Sequence, residues 1–90
     1  VLNRCCASPL DGLKFFRMAP NRLAGRPVSI SRTGYTGDLG YEIWVDAVDA
    51  LPVWDALVEA GGDFGLAPCG ILAMDMARVE AGLFMLDVDY

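Results

Sequence analysis

One carboxylate set among large apolar residues is the strongest chemical signal in this chain. Glu42 lies in Gly40-Tyr41-Glu42-Ile43-Trp44-Val45. A strand there puts Tyr41, Ile43 and Val45 on one face and Glu42 with Trp44 on the other. A carboxylate between apolar neighbours is costly to bury unless it meets hydrogen-bond donors or reaches solvent. A flat heterocycle with two parallel N–H groups would supply such donors. Two such donors on one edge are a matched pair that a carboxylate accepts side by side. The other readings of Glu42 are a solvent-facing strand residue or a partner for one of the arginines. Just upstream, Gly34, Gly37 and Gly40 recur at spacing three, which lets a loop turn through positive φ or approach a flat ligand closely. Tyr35 in that loop either touches a bound ring or packs on the core. Trp44 either lines the same pocket as Glu42 or belongs to the core, and core is the reading taken here. Trp54 is read as packing.

These residues need a scaffold, and the period of the sequence suggests one. Lys14 to Ala19 and Arg26 to Arg32 read as two strands joined by a hairpin loop over Pro20–Gly25, and Leu39 to Val45 as a third, antiparallel to the second. Residues 1 to 13 carry no clear period. After Asp46 the period changes. Leu51, Trp54, Leu57 and Val58 then mark one face of an amphipathic helix. Pro52 would clash in a helix capped at Asp46 but is tolerated three residues past Asp49, so the cap is placed at Asp49. Gly61-Gly62 is expected to end it, with Gly61 in the left-handed conformation. A second helix is expected from Pro68 or Cys69 to Ala81, with Leu72, Met76 and Val79 on one face and Gly82 as its stop. Strands grouped before helices predict an α+β fold: a small antiparallel sheet of about three strands covered on one face by two helices.

Ninety residues allow one small domain at most. The apolar share of 54% exceeds the usual value of about 45–50%, as expected of a piece cut from a larger core or of a well-packed small domain. Nucleic acid is a poor match for a net charge of −5. No apolar run approaches the roughly 18 residues that span a bilayer. Cys5, Cys6 and Cys69 lack metal-site spacing and the chain has no histidine, so no structural zinc site is supported. Free thiols fit a reducing compartment and lead to a cytoplasmic assignment for this segment.

The run Ser31-Arg32-Thr33-Gly34-Tyr35-Thr36-Gly37-Asp38-Leu39-Gly40-Tyr41-Glu42-Ile43 closely resembles a signature of the glycine cleavage system T-protein family, the folate-dependent aminomethyltransferases. A second run, Gly65-Leu66-Ala67-Pro68-Cys69-Gly70 through Asp75, Arg78, Glu80, Ala81, Gly82 and Leu83, follows that family's G-L-x-P-x-G-x-x-A-R-D-x-x-R-x-E-A-G-L in order and spacing. The resemblance implies that residues 1–90 are part of a folate-binding domain. It further implies that Glu42 holds the pterin of tetrahydrofolate and that Tyr35 contacts the folate. The implied reaction moves a one-carbon unit from an aminomethyl donor to tetrahydrofolate, the donor riding on a lipoyl carrier protein. The family's catalytic aspartate lies upstream of this segment, so no residue here is assigned a catalytic role, and the isolated segment is expected to be inactive.

Six of the seven basic residues precede Gly34 and eleven of the twelve acids follow Gly37. The basic half either meets an anion, such as the glutamate tail of a folate, or forms a solvated strand face, and the latter reading is adopted. Arg78 and Glu80 are read as structural, with Arg78 bonding loop carbonyls or Glu80, and Asp75 as tying the helix to the neighbouring loop. Asp87 and Asp89 receive no role. Met74 stands where the resembled pattern has an arginine expected to reach the folate, which points to a side branch with a changed donor or a changed mode of holding the cofactor. Three readings follow: an enzyme segment, a non-enzymatic folate-binding module, or a structural domain whose site has decayed. A folate-dependent demethylase or oxidase domain is a variant of the first.

Overall fold

A computed structural model describes residues 1–90. In chain order it has a short helix α1 (Leu2–Cys5), strands β1 (Met18–Leu23), β2 (Arg26–Ser31) and β3 (Glu42–Val45), and helices α2 (Ala50–Gly61) and α3 (Ile71–Glu80). Single 3-10 turns fall at Ala47–Asp49 and Gly62–Phe64. The sheet order is β1-β2-β3 with both pairs antiparallel. The α+β class and the three-stranded antiparallel sheet are as the sequence implies.

The first hairpin is tighter than expected. Lys14–Arg17 form a turn, with Arg17 N–H donating to the Lys14 carbonyl at 3.1 Å, and β1 runs on through Pro20 and Asn21 to Leu23. Its loop is only Ala24-Gly25, both at positive φ (54° and 72°), as a two-residue turn between right-twisted strands requires. Pro20 is tolerated because β1 is an edge strand, whose outward backbone needs no donor at that position.

Alternation then sorts the sheet into two faces. The inner face carries Leu23, Val28 and Ile30, which with Leu10 and Val53 form the buried core. Tyr41, Ile43 and Val45 pack against it. The outer face carries Ser29, Ser31, Glu42 and Trp44, with Ser29 opposite Trp44 and Ser31 opposite Glu42.

Helix α2 covers the inner face with Val53, Ala56 and Leu57, one position round from the expected stripe. Leu51 and Trp54 stay exposed at 67% and 53%. Trp54 instead borders an apolar cavity of about 360 Å³ with Leu2, Tyr41, Ile43 and the Leu66–Cys69 loop. Asp49 occupies the N-cap position of α2, but its carboxylate makes no capping bond. It accepts from Arg26 Nη1 at 3.1 Å and so ties the helix start to β2.

The helix also ends differently. Gly61 has φ −80° and the chain tightens into the Gly62–Phe64 turn, so the left-handed residue is Gly65 (φ 70°). Gly61 is required for space instead, because a Cβ there would overlap the Leu66 side chain. Helix α3 stops as expected at Gly82 (φ 78°). Leu83 N–H bonds to the Arg78 carbonyl (2.9 Å) and Gly82 N–H to the Val79 carbonyl (3.0 Å), the paired closure of a Schellman end. The apolar side chains of Ile71, Leu72, Met76 and Val79 remain exposed. No helix is long and apolar enough to cross a membrane.

Candidate functional site

Glu42 opens β3 on the outer face and is half-buried. Its Oε2 accepts the Thr33 hydroxyl, whose oxygen lies 2.8 Å from the Ser31 hydroxyl oxygen. Trp44 Nε1–H donates to Ser31 Oγ at 3.3 Å. Ser31 is only 3% exposed, and its hydroxyl is satisfied by these two neighbours. Four residues from two strands and the following loop thus form one connected polar line on an otherwise open face.

Two observations bear on the competing readings of Glu42. No arginine or lysine pairs with it, since the chain's ion pairs are Arg4–Asp63, Arg26–Asp49, Arg78–Asp75 and Arg78–Asp89. Its Oε1 accepts no bond from the chain. The carboxyl group therefore keeps most of its acceptor capacity for something outside. Trp44 is 56% exposed beside it, so the core reading of that residue is corrected: strand alternation turns the indole away from Val28 and Ile30.

Tyr35 is half-buried in the loop two residues after Thr33, and its hydroxyl makes no hydrogen bond within the chain. Neither Tyr35 nor Glu42 lines the apolar cavity beside Trp54. Of the three loop glycines only Gly37 has positive φ (84°). It is also the one closely packed, because a Cβ there would overlap Cβ of Ala81 at the end of α3. The loop that carries Tyr35 therefore rests on the C-terminus of α3.

That helix end is fixed by Arg78, whose side chain is 4% exposed. Its Nε bonds to Asp75 at 2.9 Å, Nη1 to the Leu83 carbonyl at 3.1 Å and to Asp89 at 2.6 Å, and Nη2 to Asp89 at 3.3 Å. The expected loop carbonyl is present, whereas the carboxylate partners are Asp75 and Asp89 rather than Glu80. Asp89 also accepts Met85 N–H at 2.8 Å. The Arg78 bonds, then that N–H, hold its carboxyl below the usual carboxylate range. The same carboxylates raise the Arg78 guanidinium further above its ordinary value. Burial, reinforced by adjacent Cys5, pushes the Cys6 thiol up, and a raised thiol is a poor nucleophile at neutral pH.

Residue type alone marks none of Thr33, Ser31 and Asp89 for this arrangement. The register that sets Ser31 opposite Glu42 is the signal for the first two. Asp89 carries no local signal, because its partner lies eleven residues away across a loop.

Known sequences place this geometry in a family. The GCVT N-terminal domain matches the chain over residues 1–90, and the chain belongs to that family. The aminomethyltransferase of Streptomyces avermitilis is 47% identical over 83 residues, 92% of this chain and 22% of the relative. That of Halothermothrix orenii is 46% identical over 91 residues, 99% of this chain and 26% of the relative. A heme-dependent oxidative N-demethylase gamma subunit of Ectopseudomonas mendocina is 47% identical over 77 residues, 86% of this chain and 20% of the relative. The chain spans about a fifth to a quarter of the length of these relatives. It is a T-protein-like segment, as its two motifs imply.

Proposed function

We propose that this chain is the pterin-holding segment of a tetrahydrofolate-dependent aminomethyltransferase, with Glu42 as the anchor and Tyr35 as a second contact. The observation that carries this reading is the Glu42 carboxylate itself. It is half-buried on an open sheet face, held by a hydroxyl and left without a cation. Such a group suits a ligand edge with two N–H donors, and the pterin edge of tetrahydrofolate presents one. When bound, tetrahydrofolate supplies the nitrogens that accept the one-carbon unit. This chain's own part is to bind and orient: Glu42 receives the donor edge, and Tyr35, on the loop anchored through Gly37, supplies the second contact. The proposed partner is a lipoyl carrier protein bringing the aminomethyl group, and the proposed location is the cytoplasm.

Tetrahydrofolate titration of the full-length protein by calorimetry, beside its Glu42→Gln variant, tests the assignment. The exchange keeps shape but turns one acceptor into a donor. Binding should weaken by about 2–3 kcal/mol, or roughly 30- to 150-fold. Equal affinities would remove Glu42 from the site.

A second reading changes only the donor. Met74, in place of the arginine of the resembled pattern, offers neither charge nor a donor, and one relative is an N-demethylase subunit. A methylated amine already oxidised by two electrons on a separate redox subunit, and so presented as an iminium ion or as formaldehyde, would then supply the one-carbon unit in place of the lipoyl arm. Supplying the full-length protein with the aminomethyl-lipoyl carrier and with formaldehyde in turn, and following methylene-tetrahydrofolate, separates the two. Tetrahydrofolate binding without turnover of either donor would favour a non-enzymatic folate-binding module.

A further inference from the structure

The hydroxyls beside Glu42 have a single consistent proton arrangement. Thr33 has one hydroxyl proton and gives it to the carboxylate, which can only accept. Ser31 is therefore the donor across the 2.8 Å contact to Thr33, and its own oxygen accepts Trp44 Nε1–H. Every proton along Trp44, Ser31, Thr33 and Glu42 points the same way, and bonds aligned like this polarise one another. Ser31 is nearly sealed from water, which keeps its hydroxyl committed to this line.

We propose that Thr33 and Ser31 are positioning and specificity-determining residues that hold Glu42 in one orientation and make the site read only ligand edges with two donors. The proposal rests on Glu42 as the pterin anchor. With all three protons of the line already committed, nothing remains to donate to an acceptor on the ligand. A 2-amino-4-oxo pyrimidine edge fits this demand, whereas the same ring with oxygen in place of the 2-amino group sets an acceptor against the carboxylate.

The test is calorimetric titration of the full-length protein with tetrahydrofolate and with its 2-oxo counterpart, using Thr33→Val, Thr33→Ser and Glu42→Gln, with a melting curve for each. Thr33→Val should weaken tetrahydrofolate binding about 10-fold and narrow the preference over the 2-oxo ligand, and Thr33→Ser should return both to within about 2-fold of the parent. Unchanged affinity and preference in Thr33→Val, with Glu42→Gln impaired, overturns the positioning role and leaves the anchor in place. Failure of Thr33→Ser to rescue also overturns it, because a hydroxyl alone is claimed to matter. If Glu42→Gln binds like the parent, the anchor and its positioning line fall together. Should Thr33→Val not fold, Trp44→Phe removes only the first donor of the line. Binding roughly 2-fold weaker at an unchanged melting temperature supports the proposal, and unchanged binding overturns it.

Discussion

Arg78 grips Asp89 at two points, Nη1 to Oδ2 at 2.6 Å and Nη2 to Oδ1 at 3.3 Å, and so fastens the segment after α3 back onto the helix that precedes it. Truncating one partner of a buried ion pair leaves the other uncompensated. Asp89→Asn should therefore lower the melting temperature at neutral pH. Because Asp89 is held below the ordinary carboxylate range, its contribution is present above the unfolded-state value of about 4 and disappears as pH falls through the lower folded value. Melting curves collected from pH 7 downward should show an acid limb below about pH 4 that is shallower in Asp89→Asn. An identical limb in parent and variant would assign the acid sensitivity elsewhere.

Gly37 and Ala81 join the loop to the same helix end. Gly37→Ala adds a Cβ at φ 84°, where it overlaps Ala81, and should destabilise by about 2 kcal/mol. Ala81→Gly in the same chain removes the overlap but not the unfavourable φ, so the double variant should recover part of the loss. Denaturant unfolding of the four proteins measures the coupling. Strict additivity would mean that the two residues do not touch.

The Ala24-Gly25 turn offers a gain in stability. Ala24 sits at φ 54°, where asparagine is better tolerated and the Asn-Gly pair is favoured. Ala24→Asn should raise stability by about 0.5–1 kcal/mol, read as a higher denaturant midpoint at unchanged slope. A lower midpoint would show that the loop is not the tight two-residue turn described.

Much of this was legible in the sequence. Alternation correctly divided Tyr41, Ile43 and Val45 from Glu42 and Trp44, because a strand has only two faces and the period is unambiguous. The α+β class and the stop at Gly82 follow from similarly local signals. The misread elements depend on what lies opposite. Pro20 looks like a turn until β1 is known to be an edge. Spacing alone puts Leu51, Trp54, Leu57 and Val58 on one α2 stripe, whereas packing on the core with Val28 and Ile30 selects Val53 and Ala56. Gly61 stands where a helix-ending left-handed glycine is expected, but its role is to make room for Leu66, a contact made only once the chain has turned. The polar line from Trp44 to Glu42 depends on cross-strand register, which no single segment encodes.

The central claim is that the Glu42 carboxylate pairs with the 2-amino edge of a pterin. A thermodynamic cycle measures that pairing directly: parent and Glu42→Gln, each titrated with tetrahydrofolate and with its counterpart lacking the 2-amino group. If the two groups meet, removing either should cost much of the affinity, and removing the second should cost little more, leaving a coupling of about 1–3 kcal/mol. Losses that simply add would contradict the pairing and place the pterin edge away from Glu42.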